Sequence, residues 1–469
     1  MLVPHSWLAT VLQKVFHPAS QPGNLAKIFC VLPYDTSRIA TLTNCIVAQE
    51  TKGWVLCFDS ACLVMNIVIG ILLLLVLFPL TLLVLYQWLL AMSSFFYRPH
   101  MAYSEGRQAR FLVLIPAHNE EVGIASTLES LRNLDYPSER YRVLVIADRC
   151  VDGTAVVARS RNAQCFERFD GQPGKGAALA WGVQEARNAQ IAFNAVVIVD
   201  ADTLVDRELL SAFNVEFQAG RQVQQGYNYI SNPWASPFTR IMAVTCVLRN
   251  GRYYAGKMAI GLQGMLMGTG MCLGAGILER HGWTALSVGE DLEFSAELLL
   301  GGEKIYFNPL AKTFAKESQN FKQASHQRLR WASGRYAVMG SKVWALIRQG
   351  IRTSSFSLID SAVTLVVPNY SSQASLALLC VVGSWVNAGD PFWGFSFHWA
   401  VALFAAIASY FVLGIFSTEA PGKALAGLIL VPVFLPWRLT IELLGMLGYG
   451  RRDWGRISRS APSSRQAKH

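Results

Sequence analysis

The sequence predicts an α/β domain held between apolar segments, and three observations carry that reading. Strand-like runs alternate with helical patterns through the middle of the chain. Long uncharged stretches flank that block. Carboxylates recur where a strand-like run gives way to a loop. Hydrophobic residues make up 52% of the 469 and charged residues only 15%, an apolar balance for a soluble enzyme. This length accommodates two or three domains. The expected organisation is an extension over 1–58, a transmembrane segment over 59–97, a catalytic α/β domain with an interfacial helix over 98–350, a transmembrane region over 351–450 and a basic tail over 451–469.

The formal net charge is +10, and the cations gather beside apolar segments. Arg98, Arg107 and Arg110 follow the first apolar run. Arg328, Arg330, Arg335, Lys342, Arg348 and Arg352 precede the later ones, and Arg451, Arg452, Arg456 and Arg459 follow the last. That distribution fits cytoplasmic membrane edges facing anionic lipid. It lacks a nucleic-acid-binding signature, so no nucleic-acid partner is expected. The nine cysteines form no C-x-x-C pair, which disfavours a zinc site. Those in the central block read as small core residues of a reducing compartment.

Taken in order, 1–58 lacks a clear period and does not resemble a signal peptide. Residues 61–92 are nearly uncharged and long enough to cross a bilayer, which needs about 20 apolar residues. Pro79 is a potential kink. The run 111–115 reads as a buried strand that ends in the loop Pro116-Ala117-His118-Asn119-Glu120-Glu121. A helical pattern follows over 124–134. A second strand over 143–146 ends at Asp148, and a third over 195–199 ends at Asp200. Helices are expected between them over 154–161 and 177–187. This alternation predicts a parallel sheet covered on both faces. Such sheets bind ligands at the carboxyl ends of their strands. Beyond Asp202 the pattern gives a helix near 207–216, a strand near 223–230, a helix over 238–255, a Gly- and Met-rich loop over 261–276, a helix over 292–300 and a short strand over 304–307. Residues 321–346 form a basic amphipathic helix suited to a membrane surface. Three apolar candidates follow at 358–382, 399–416 and 425–447. The first is interrupted at Pro368-Asn369. Three full crossings would place the basic tail outside, against the positive-inside rule, so one of them is expected not to cross. The tail 458–469 reads as disordered.

The chemistry concentrates in a few short motifs. Asp200-Ala201-Asp202 ends an apolar run, and extended geometry would turn both carboxylates toward one hard cation. A solvated turn is the plain alternative. Gly174-Lys175-Gly176 precedes a helix, so Lys175 can neutralise phosphate or simply begin a flexible helix start. Glu290 and Asp291 stand before another helix, where acids also suit the helix dipole. Gln327, Arg330 and Trp331 complete a Q-x-x-R-W motif, with Gln327 and Arg330 sharing a helix face. The alternative for that stretch is a basic helix on lipid, and Arg335, Lys342 and Arg348 are assigned to that class. His118 is read as a loop-packing residue and Asp152 as a helix cap.

These motifs, in this order, resemble the membrane-bound members of glycosyltransferase family 2, which include cellulose, chitin and hyaluronan synthases and ceramide glucosyltransferases. The likeness covers roughly 110–340. It implies a GT-A (Rossmann-like) domain and inverting transfer from a UDP-sugar, with Mg²⁺ or Mn²⁺ as cofactor. Implied site residues are Pro116, Ala117, Asn119, Glu120, Asp148, Lys175 and Asp200 for the nucleotide, Asp148 taking the uracil N3–H. Asp200 and Asp202 would hold the metal. Asp291 would be the base, with Glu290 positioning the acceptor. Gly268, Thr269, Gln327, Arg330 and Trp331 would face acceptor and diphosphate. Polysaccharide synthases of this family carry an F-F-C-G-S loop where this chain has Met265-Leu266-Met267-Gly268-Thr269. A Met-rich core loop with no acceptor contact is the competing reading there. The implied partners are a UDP-sugar, a lipid or growing glycan acceptor, the membrane and a possible export partner. The implied location is a multi-pass protein of the plasma (inner) membrane with a cytoplasmic catalytic domain. Extracellular polysaccharide synthesis is the first expectation and single-transfer glycolipid synthesis the second. A non-catalytic nucleotide-sugar-binding regulator would be expected to have lost Asp200, Asp202 or Asp291, and all three are present.

Overall fold

The computed structural model describes residues 55–99, 108–385, 389 and 391–450. The expectations for 1–54, for Arg107 and for the basic tail lie outside the described residues. The chain divides into two compact units, Met1–Ile69 and Gly70–His469. Within the first, only the opening turns of helix α1 are described.

Helix α1 (Val55–Ser94) carries Pro79 inside it. An eight-stranded sheet follows, in the order β3-β2-β1-β4-β7-β6-β8-β5. Its first half is built by β1 (Phe111–Ala117), α2 (Glu121–Arg132), β2 (Tyr141–Asp148), α3 (Thr154–Ser160), β3 (Gln164–Arg168), α4 (Lys175–Asn188) and β4 (Ala195–Ile198). All three pairings within this half are parallel. Alternation along these strands sorts the core. Leu112, Leu114, Leu144, Ile146, Val196 and Ile198 join a cluster with Ala178, Leu179 and Val183 of α4. Phe111, Val113, Ile115, Val145 and Val197 join another with Ile124, Leu128 and Leu131 of α2. A strand buried on both faces reads as a continuous apolar run, which is why β1 was legible.

The second half departs from the all-parallel expectation. It contains β5 (Thr203–Val205), α5 (Leu209–Gln218), β6 (Val223–Ile230), α6 (Pro237–Val247), α7 (Ala255–Ala259), β7 (Met271–Gly274), α8 (Ala275–His281), α9 (Glu290–Leu300) and β8 (Ile305–Ala315). Strand β7 runs antiparallel to both β4 and β6, while β6 and β8 are parallel. Strand β5 closes the edge antiparallel to β8. The sheet is therefore mixed. The single helix expected over 238–255 is divided by a π-helical stretch, Leu248–Tyr254. There the Asn250 amide donates to the Asn228 carbonyl at 3.1 Å and to the Cys246 carbonyl at 3.2 Å.

Beyond the sheet come α10 (Phe321–Arg352), α11 (Phe356–Val366), α12 (Tyr370–Trp385), α13 (Pro391–Phe416) and α14 (Pro421–Met446, tightened to a 3-10 turn over Ala426–Leu430). Among the described residues three helices are long and apolar enough to cross a membrane: Asn66–Ser94, Pro391–Phe416 and Pro421–Met446. Helices α11 and α12 form a fourth candidate bent by 71°, either a broken span or a re-entrant loop.

The basic residues of α10 do not all face outward. Arg335 Nη2 is 2.7 Å from Glu442 Oε2 on α14, and Lys342 Nζ is 2.8 Å from Glu297 Oε1 on α9. Their assignment to a lipid-facing class is corrected: each neutralises a carboxylate from a neighbouring helix. Arg348 packs over the Trp344 ring at 6.0 Å. A third ion pair, Lys257 Nζ to Asp360 Oδ2 at 2.8 Å, joins α7 to α11 and is almost wholly buried.

Candidate active site

The three parallel strands β1, β2 and β4 end on the same side of the sheet, and their following loops meet there. After β1, Asn119 adopts a left-handed φ of +55°, as does Arg149 after β2 at +50°. Asparagine tolerates this region better than most side chains. The two loops are tied together. Asn119 Oδ1 accepts from the Val151 N–H at 2.8 Å, and Thr154 Oγ1 accepts from the Glu120 N–H at 2.8 Å. Asp152 and Glu121 exchange bonds across the gap: Asp152 Oδ2 accepts from the Glu121 N–H, and Glu121 Oε2 accepts from the Gly153 N–H. His118 Nδ1 bonds the Asp148 carbonyl at 2.7 Å. The wall so formed contains Pro116, Ala117, Asn119 and Glu120.

Behind it lies Asp148, fully buried. Its Oδ1 accepts from Arg168 Nη1 at 2.7 Å and lies 3.4 Å from Arg149 Nη1. Its Oδ2 is buried without a hydrogen-bond partner. A buried carboxylate oxygen left unpaired costs about 1–3 kcal/mol. It is a ready acceptor for a ligand N–H. Arg168 was not recognised in the sequence, because β3 is short and half-exposed and gave no strand signal.

Four further groups converge on Lys175, the first residue of α4. Its Nζ is 2.5 Å from Asp200 Oδ1, 2.6 Å from the Gly268 carbonyl oxygen and 3.6 Å from Glu290 Oε1. Gly268 has φ +82°, and a Cβ built there would lie 3.2 Å from Asp291 Oδ2 and 3.4 Å from Lys175 Nζ. The positive φ favours glycine here, and a Cβ would also crowd Asp291. Burial lowers the affinity of Lys175 for its proton, yet Asp200, Glu290 and Asp291 outweigh that and hold the ammonium above its ordinary value. Burial raises Glu290 to about 7 against the opposing pull of Lys175. Asp291 is raised for the same first reason. Two carboxyl groups raised by burial beside one buried cation form a pattern that clusters at functional sites.

The stretch 265–269 is split in role. Met265 and Leu266 are buried core residues, whereas Gly268 and Thr269 reach the cluster. Thr269 Oγ1 accepts from the Asp200 N–H at 3.1 Å. The loop is fixed by Gln225 of β6, which is fully buried. Its Oε1 accepts from the Met267 N–H at 2.7 Å and its Nε2 donates to the Thr269 carbonyl at 2.9 Å. Sequence reading missed Gln225. A glutamine inside a strand gives no local sign of which loop it will hold.

Asp202 differs from expectation. The chain does not stay extended after β4. It turns, with the Thr203 N–H bonding the Asp200 carbonyl at 3.1 Å. The Asp202 side chain packs beside Gly123 of α2, while Asp200 faces Lys175. Strand alternation therefore does not pair these two carboxylates. Gln327, Arg330 and Trp331 lie on α10, with Trp331 46% exposed and Arg328 stacked over its ring at 4.7 Å. One turn later, Gly334 abuts Gly289: a Cβ on Gly334 would meet the Gly289 nitrogen at 3.0 Å. That crossing packs α10, one turn beyond the motif, against the start of α9, where Glu290 and Asp291 stand.

Two family descriptions match this chain: Glycosyl transferase family group 2 over residues 195–416 and Glycosyl transferase family 2 over residues 112–274. The chain carries a glycosyl transferase family 2 domain. It is 28% identical over 249 residues to the probable glycosyltransferase YdaM of Bacillus subtilis, covering 48% of this chain and 55% of that protein. It is 28% identical over 238 residues to the beta-monoglucosyldiacylglycerol synthase of Synechocystis sp., covering 48% and 47%. With the poly-beta-1,6-N-acetyl-D-glucosamine synthase of Staphylococcus aureus it shares 23% over 268 residues, covering 54% and 63%. This chain thus spans about half to two thirds of the length of these relatives.

The site's donor set suits a divalent cation of the hard kind. All candidate ligands are oxygens, and Asp200 Oδ1 already holds a cationic group. No cluster of three metal-ligating side chains occurs among the described residues. A bound ion would take its remaining positions from substrate oxygens or water, as Mg²⁺ sites commonly do.

Proposed function

We propose that this protein is a membrane-bound, inverting glycosyltransferase. It moves a sugar from a UDP-sugar to a membrane-associated acceptor, first of all in extracellular polysaccharide synthesis. The observation that carries the reading is the convergence of Asp200, Lys175, Gly268, Glu290 and Asp291 at one point beside the strand ends. In this GT-A reading the wall 116–120 receives the nucleoside, and the Asp148 Oδ2 accepts the uracil N3–H. Asp200 and Asp202 would hold Mg²⁺ or Mn²⁺, which would supply positive charge against the leaving diphosphate. Asp291 accepts the proton of the acceptor hydroxyl as its oxygen attacks the anomeric carbon and the bond to UDP breaks. Glu290 orients the acceptor. Arg330 pairs with the diphosphate, and Trp331 offers the acceptor sugar a flat apolar face.

The catalytic domain is placed at the cytoplasmic face of the plasma (inner) membrane, with α10 along the surface. The bent pair α11–α12 is read as the segment that does not fully cross, which returns the basic tail to the cytoplasmic side. A single-transfer glycolipid synthase is the second reading. It is favoured by the likeness to a glycolipid synthase.

The test is purified protein in nanodiscs, a panel of radiolabelled UDP-sugars, Mg²⁺ or Mn²⁺ and membrane lipids. Label in large, glycosidase-sensitive material is the expected result. Label confined to one organic-soluble lipid species would replace it with the glycolipid reading. Transfer that persists undiminished in EDTA would remove the metal from the mechanism.

A further inference from the structure

The Lys175 ammonium stands where an incoming divalent cation must make its contact with Asp200. Its three N–H donors face three oxygens: Asp200 Oδ1 at 2.5 Å, the Gly268 carbonyl at 2.6 Å and Glu290 Oε1 at 3.6 Å. Lys175 is the less exposed partner, at 17% against 35% for the Asp200 side chain. The carboxylate thus keeps an open side while its inner oxygen is occupied. Lys175 starts a 14-residue helix whose body is buried against the sheet, so only its side chain can yield.

We propose that Lys175 is the resident counter-cation of the donor-free site, displaced from Asp200 only when a divalent ion arrives together with a nucleoside diphosphate. The inference rests on the reading of Asp200 as a metal-binding residue. A bare divalent ion that reaches Asp200 either displaces the ammonium from Oδ1 or sits beside it on the other oxygen, and like charges at that range repel strongly in a partly buried site. An ion carried by a diphosphate brings its own negative charge. The ammonium then exchanges the Asp200 oxygen for a diphosphate oxygen, and the charge around it stays balanced. The same exchange draws it away from Glu290, so the pair that receives the acceptor loses its cation only with a donor in place. No covalent bond is made or broken.

The experiment measures Mn²⁺ binding to the full chain in nanodiscs by the electron paramagnetic resonance signal of free Mn²⁺, with and without UDP. Without UDP, Lys175→Met is expected to bind Mn²⁺ about tenfold more tightly than the parent, within the usual range of coupling between sites. Lys175→Arg keeps the charge and is expected to stay near the parent. The further tightening produced by UDP is expected to be smaller in Lys175→Met than in the parent. Lys175→Gln carries the same expectations should the Met variant not fold, as judged by its melting curve. Asp200→Asn separates the two claims. If it binds Mn²⁺ as the parent does, the metal reading itself fails. If it loses Mn²⁺ while Lys175→Met binds no more tightly than the parent, the counter-cation inference alone is overturned.

Discussion

Asp291 and Glu290 share one cation and a buried setting, so their protonation governs when the site can act. A carboxyl raised to about 7, as Glu290 is, is increasingly protonated as pH falls through that value. A protonated carboxyl neither accepts a hydroxyl proton nor orients an acceptor as an anion. Transfer is therefore expected to rise with pH up to the neutral range and to fall on the acid side of about 7. A kcat/KM profile in saturating Mg²⁺ checks this; a flat profile between pH 5.5 and 8 would contradict it. Asp291→Asn is expected to lower kcat by about 10²–10⁴-fold while UDP affinity, read by calorimetry, stays near the parent value. The sequence revealed both acids but not their shared cation. Lys175 lies 115 positions before Glu290, and only the sheet brings them together. The D-x-D motif was visible, but the extended backbone read for it required the strand to continue, and a local turn ended it first.

At the scale of elements, the crossing of α9 and α10 at Gly289 and Gly334 fixes the distance between the acid pair and the Q-x-x-R-W motif. Any side chain at 334 would press on the backbone of 288–289. Gly334→Val is expected to push α10 outward and to lower transfer about a hundredfold, roughly the loss that a misplacement of about 1 Å causes. UDP binding, which the proposed function assigns to the β1 and β2 loops, should be retained. Equal loss of both would mean that the substitution disrupts the domain as a whole. Strands β1, β2, β4 and β6 were legible because each is an apolar or β-rich run with loop residues after it. Strands β3, β5 and β7 are three to five residues long. Their existence depends on partners distant in sequence, as Met271–Gly274 depends on β4 and β6. A period-2 pattern cannot show in so few positions. The reach of β8 to Ala315 was missed for a related reason: Asn308 and Pro309 interrupt its apolar run, yet Asn308 is buried and bonded to Gln224 at 3.0 Å.

At the scale of the molecule, the sheet domain and the apolar helices are joined by buried charge. Lys257 and Asp360 are 0% and 2% exposed. The Tyr86 hydroxyl also donates to Asp360, and Thr364 takes a 2.7 Å bond from Lys257. Lys257→Ala leaves a buried carboxylate uncompensated and is expected to cost about 3–5 kcal/mol. Lys257→Met combined with Asp360→Leu removes both charges and should recover most of that loss. Thermal or denaturant unfolding in detergent checks both. If the double variant were no better than the single one, the pair would be acting through something other than its charge. None of this coupling was legible beforehand. An aspartate within 358–382 looks like an interruption of an apolar run until its partner is known.

The break between α11 and α12 has a consequence for how the chain is built. A helix that stops at Val366 exposes carbonyls that a bilayer cannot satisfy. Here the Val367 carbonyl accepts from Arg335 Nη1 at 2.9 Å, and the Asn369 amide donates to Glu442. One of those partners comes from α10, already synthesised when the break emerges. The other lies on α14, some seventy residues later; Glu442 is paired within its own helix by Arg438 and meets Arg335 and Tyr336 of α10 only once α14 packs against them. The bend is thus completed from both ends of the ribosome's timetable. Until α14 emerges, the segment between α10 and α13 carries an unmatched asparagine and an uncancelled arginine. In the membrane setting proposed above, those groups would need shelter until α14 is made.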